Sequence, residues 1–96
     1  MGALGLDDNL KAQIDDLGSS PKEASNGNNA RPFGLDDVAN VDSTFEADLA
    51  VLQLTDGRWA FVDADHGYAI VDDSRDGLIT AMSGSQRERL GITVTA

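Results

Sequence analysis

The pair Asp56-Gly57 constrains this chain more than any other feature. Asp-Gly suits a two-residue hairpin turn, because both positions tolerate the left-handed backbone that matches the twist of paired strands. Arg58-Trp59-Ala60-Phe61-Val62 follows it with strong β-propensity. Before it, Phe45, Leu49 and Leu52 also suit a helix, but the turn argues for a strand over residues 48–55. A two-residue turn pairs Leu54 with Trp59 and Leu52 with Phe61, which predicts that all four share one buried sheet face. Tyr68 to Asp72 reads as a third strand, entered through the turn Asp65-His66-Gly67. Ser74-Arg75-Asp76-Gly77 turns the chain again.

The flanks are helical or irregular. Leu6, Leu10, Ile14 and Leu17 recur at helical spacing and predict an amphipathic helix ended by Gly18. Asp7 and Asp8 suit its first turn, whereas Asp15 and Asp16 oppose the helix dipole in its last. Residues 19–32 read as a linker, with Ser-Ser-Pro and Ser-Asn-Gly-Asn-Asn as breakers. Leu35, Val38 and Val41 fit a short helical turn, and Ser43-Thr44-Phe45-Glu46 fits a capping box. Ser85-Gln86-Arg87-Glu88 matches a second one, starting a short helix that Gly91 ends. Ile92 to Thr95 favours an edge strand. The expected fold is α+β: an N-terminal docking helix (1–18), a linker (19–32) and a small domain (33–96). That domain holds an antiparallel meander of three or four strands and a short C-terminal helix.

At 96 residues the chain is one domain at most, with a thin stability margin. Asp and Glu number 17 against 7 Lys and Arg, a net charge of -10, which argues against direct nucleic-acid binding. Three accounts of the acidity compete: solvation in high salt, complementarity to a basic partner, and plain surface charge. With no cysteine there is neither a disulfide nor a thiolate metal site. No apolar run is long enough to span a membrane, and the N-terminus lacks the pattern of a signal peptide. The expected location is the cytoplasm, or a particle assembled there.

Catalytic chemistry is poorly represented. His66 is the single histidine and reads as a solvated turn residue beside Asp65. Nothing in the sequence supplies a triad or a phosphate-binding loop. Residues 72–83 resemble the twelve-residue EF-hand calcium loop, with Asp72, Ser74 and Asp76 at places one, three and five and Gly77 at six. Ser83 stands at place twelve, where that family has a bidentate acid. The resemblance therefore implies at most weak Ca2+ binding through Asp72, Ser74 and Asp76; no other cofactor is expected.

The expected function is that of a non-enzymatic structural or interaction subunit of a larger assembly, such as a virus particle, adapted to high salt. Its partners would be other protein subunits, including copies of itself. They would meet the stripe of Leu6, Leu10, Ile14 and Leu17, together with Asp15 and Asp16. The alternative from a different class is an acidic inhibitor that presents carboxylates in place of nucleic-acid phosphates, with Asp8, Asp15, Asp16, Asp36, Asp37, Asp72 and Asp73 as its patch.

Overall fold

A computed structural model describes residues 7–23, 31–46 and 48–92. Its elements are α1 (Asp8–Gly18), β1 (Lys22–Glu23), a 3-10 turn (Leu35–Asp37), β2 (Val38–Phe45), β3 (Leu49–Leu54), β4 (Trp59–Asp63), β5 (Tyr68–Asp72), α2 (Arg75–Ala81) and α3 (Gly84–Leu90). Strands β2 to β5 form an antiparallel meander. The two residues of β1 add in parallel to the outer side of β5. The α+β class is as the sequence implies.

Helices cover both faces of the sheet. Leu10 and Ile14 of α1 pack on Ala50, Leu52, Leu54, Ala60, Val62, Ala69 and Val71. The opposite face presents Leu49, Val51, Phe61 and Ile70 to Leu78 and Ile79 of α2, Met82, and Leu90 of α3. Alternate side chains of a strand point to opposite faces. A sheet covered twice therefore needs apolar residues at nearly every position, which is why β3 reads Leu-Ala-Val-Leu-Gln-Leu without a polar alternation.

The predicted register slips by one residue. Leu52 pairs with Ala60, Val51 with Phe61 and Gln53 with Trp59. The loop holds three residues, Thr55 to Gly57, closed by Leu54 N–H donating to the Arg58 carbonyl at 2.8 Å. Gly57 takes a φ of 92°, the left-handed last position of a three-residue hairpin loop. One residue of slip moves a side chain to the other face. Leu52 and Leu54 accordingly meet α1, while Trp59 and Phe61 meet the α2 and α3 layer.

Three local expectations also change. Val38 to Phe45 is a strand rather than a helical turn followed by a helix cap; it pairs with β3 through two irregularities in register. Residues 74–77 open a helix, because the Ser74 hydroxyl accepts from Gly77 N–H at 3.0 Å and caps α2. The second capping box belongs to Ser83 and Gln86, two residues earlier than expected, and α3 ends at Gly91 with φ 72° as predicted. Of the expected strand over 92–95, residues 93–95 lie outside the described residues.

Gly18 does end α1, but for a different reason. The helix C-cap is Ser19, in a right-handed conformation. Phe33 donates its N–H to the Gly18 carbonyl at 2.8 Å and lays its own carbonyl and ring where a Cβ of residue 18 would stand. The glycine is required by close packing of the returning chain.

Candidate functional site

The apolar stripe of α1 is used at home. Leu10 and Ile14 are fully buried and Leu17 is partly buried, all on the chain's own sheet; Leu6 lies outside the described residues. Fully burying two such side chains contributes about 3–6 kcal/mol before ordering costs. The expected docking of this stripe on a neighbouring copy therefore gives way to intramolecular packing. Helix α1 (Asp8–Gly18) is part of the core rather than a separate docking unit, residues 1–6 lying outside the described residues, and β1 draws part of the expected linker into the sheet.

The misplaced acids at the end of α1 have a local explanation. Asp15 Oδ1 accepts from Leu35 N–H at 2.7 Å, which ties α1 to the 3-10 turn. Asp37 Oδ2 accepts from Gly34 N–H at 3.0 Å, and the Asp37 carbonyl accepts from Thr55 N–H at 2.8 Å. The first of these bonds sets the end of α1, which carries Asp15 and Asp16, against the 3-10 turn that carries Asp36 and Asp37, and all four acids are exposed. Among the described residues no cation pairs with any of the four. Other surface acids are matched: Asp8 with Lys11, Asp42 with Arg75, and Asp56 with Arg31 and Arg58.

At Asp56 burial works to raise the carboxyl. The Arg58 backbone N–H and the guanidinium groups of Arg58 and Arg31 outweigh it, and hold the group below its ordinary value of 3.8.

The calcium-like loop is folded for another task. Helix α2 occupies loop places four to ten, where a calcium loop has to remain open. Asp72 Oδ2 accepts from Ser74 N–H at 3.0 Å and lies close to the Ser74 hydroxyl at 3.2 Å, and Ser74 in turn caps the helix. A side chain on Gly77 would strike the Asp72 carboxylate, so the glycine serves helix entry rather than a cation turn. Asp76 stands exposed in the first helical turn, where the dipole favours it. Asp72, Ser74 and Asp76 thus form a helix start, and the implied calcium site is set aside.

A buried polar network lies elsewhere, at the turn between β4 and β5. Asp63 has no exposed surface. Its Oδ1 accepts from His66 N–H at 2.9 Å, and its Oδ2 meets His66 Nδ1 at 2.7 Å. Gln86 Nε2 donates to the same Oδ2 at 2.7 Å and also to the Tyr68 hydroxyl. Gln86 is the third residue of the α3 capping box, and its Oε1 accepts from Ser83 N–H at 2.8 Å. One side chain therefore caps a helix and satisfies a buried acid. The Asp63 carboxylate thus holds the His66 ring by its Nδ1 edge. His66 is 58% exposed at its side chain, and Asp65 lies 3.9 Å from Nδ1.

Sequence reasoning noted His66 and Asp65 only as solvated turn residues and passed over Asp63. The available signal was position: an acid closing an otherwise apolar strand, three residues before the histidine. Among the described residues no serine or threonine hydroxyl hydrogen-bonds His66. No described helix is long and apolar enough to cross a membrane. The fold and these groups define a small acidic α+β domain with one histidine oriented by a buried carboxylate. Neither a family model, nor a curated protein, nor a solved structure matches the chain.

Proposed function

We propose that this chain is a non-enzymatic interaction subunit of a larger protein assembly, and that it meets a basic partner surface through Asp15, Asp16, Asp36 and Asp37. The observation that carries the reading is the bond from Leu35 to Asp15, which gathers four exposed carboxylates that no described cation neutralises. With the apolar stripe of α1 consumed in the core, charge is what remains for recognition. Complementary charge of this kind speeds encounter and selects partners more than it adds raw affinity. A virus particle assembled in the cytoplasm is one setting for such a subunit. The same corner supports a second reading, a decoy for nucleic-acid phosphates.

The test is titration of the full chain with an Arg- and Lys-rich peptide at low and at molar salt. Saturable binding that salt weakens is expected, and the pair Asp16→Asn and Asp36→Asn should reduce it. Asp76→Asn with Glu88→Gln, on the opposite helical layer, should leave it nearly intact. Equal losses from both pairs would mean that total charge, rather than this corner, attracts cations. Competition by duplex DNA for a nucleic-acid-binding protein, with the chain held on that protein's basic surface, would favour the decoy.

A further inference from the structure

We infer that Asp63, Asp65 and His66 form a binding site for one divalent transition-metal ion. The inference is independent of the reading of the acidic corner. It starts from a charge balance. Asp63 is a fully buried carboxylate, and the ionisable group that meets it is an imidazole rather than a lysine or arginine. Buried acids are ordinarily paired with a cation or bound to a metal. At the opposite turn of the same strand even the exposed Asp56 has two guanidinium partners.

The donors have the right chemistry and reach. One carboxylate oxygen from each aspartate and one imidazole nitrogen lie within 4.8 Å of one another. They are carried by a single tight turn whose outer side is open, as the exposure of Asp65 and His66 shows. Around a tetrahedral ion with bonds near 2 Å, neighbouring donors stand roughly 3.3 Å apart. His66 Nδ1 and Asp63 Oδ2 are 2.7 Å apart across a shared proton. A metal bound at Nδ1 displaces that proton to solvent, leaves the ring's N–H on Nε2, and asks the exposed ring to retreat by roughly half an ångström. Gln86 meanwhile keeps its bond to Asp63 and serves as the outer-shell group that orients a ligand.

The nitrogen donor selects the ion class. Imidazole with carboxylates suits zinc or nickel, whereas magnesium and calcium prefer oxygen alone. Three protein ligands leave at least one position for water, as in zinc sites that keep an open coordination position.

Calorimetric titration of the full chain with ZnCl2 and with NiCl2 tests this, using CaCl2 and MgCl2 as controls and circular dichroism to check folding. Binding of one zinc or nickel ion per chain is expected. His66→Ala and His66→Asn should both abolish it, and Asp65→Asn should weaken it by about tenfold or more. Nuclear magnetic resonance of the wild type supplies a readout that needs no variant: the His66 ring signals should shift in step with zinc. No saturable zinc or nickel binding would overturn the site. So would binding that survives both histidine variants, or equal binding of calcium, since the exposed acids would then be the ligands.

Discussion

The two turns that bracket β4 use one recipe with opposite burial. In each, an aspartate Oδ1 accepts a backbone N–H further along the turn: from Arg58 at 3.1 Å for Asp56, and from His66 at 2.9 Å for Asp63. In each, Oδ2 meets the basic side chain of that same residue, at 2.8 Å and 2.7 Å. In each, a glycine takes a left-handed φ, 92° at Gly57 and 77° at Gly67. At the first turn the acid is 37% exposed and the base 6%; at the second the acid is 0% exposed and the base 58%. The layer above each turn decides which partner goes inside. Arg58 reaches in to the Arg31 carbonyl at 2.8 Å, whereas Asp63 lies beneath α3 and takes a bond from Gln86. The lesson is that a local Asp-base motif sets the hydrogen bonds, while tertiary packing sets their energetic weight.

The largest effect expected from this inversion is at Asp63. Asp63→Ala removes the acceptor for Gln86 Nε2–H and for His66 N–H, and leaves a gap beneath α3. A cost of about 2–4 kcal/mol is expected from buried groups left unpaired. The measurement is urea unfolding, with Asp56→Ala as the reference. If the two variants cost the same, burial does not separate the turns and the comparison breaks.

The backbone offers a contrast in which the turns should agree. Gly57 and Gly67 both adopt positive φ, and an added Cβ meets nothing within 4 Å at either. Alanine there should cost about 1–2 kcal/mol from conformation alone, with asparagine recovering part of it. Urea midpoints of the four variants check this. A cost at Gly67 far above that at Gly57 would show that strain, not packing, distinguishes the two turns.

These turns also show what the sequence could and could not reveal. Strands β3, β4 and β5 were legible because apolar, β-prone runs stand between Gly- and Asp-rich turns. Their register was not, because Asp56-Gly57 suits both a two-residue and a three-residue loop, and the choice flips Trp59 and Phe61 to the other face. Strand β2 was hidden because its apolar Val38, Val41 and Phe45 are spaced by three and four, as on a helix, and its register shifts twice. At the candidate metal site, His66 and Asp65 were visible as turn residues. Asp63 was not, because its burial comes with the arrival of Gln86 from α3, a contact that spans 23 residues. The apolar stripe of α1 was legible as a docking surface, yet periodicity says nothing of whose sheet receives it.

The smallest expected effect is at Asp56, and it sharpens the comparison through pH. The Arg58 and Arg31 groups hold this carboxyl below its ordinary value of 3.8 despite the opposing effect of burial. A folded-state value lower than the unfolded one means that ionised Asp56 stabilises the fold above the unfolded value. That contribution is lost as pH falls through the lower, folded one. An asparagine amide at this position keeps the shape and cannot titrate. At neutral pH Asp56→Asn should therefore cost under about 1 kcal/mol, because the acid is over a third exposed and solvent screens it. The gap between wild type and variant should hold down to about pH 4 and close below it. Urea midpoints measured across that range, at low salt, provide the check. A gap that does not change with pH would assign the whole effect to the hydrogen bonds with Arg58, and the charge of the exposed acid would carry no weight.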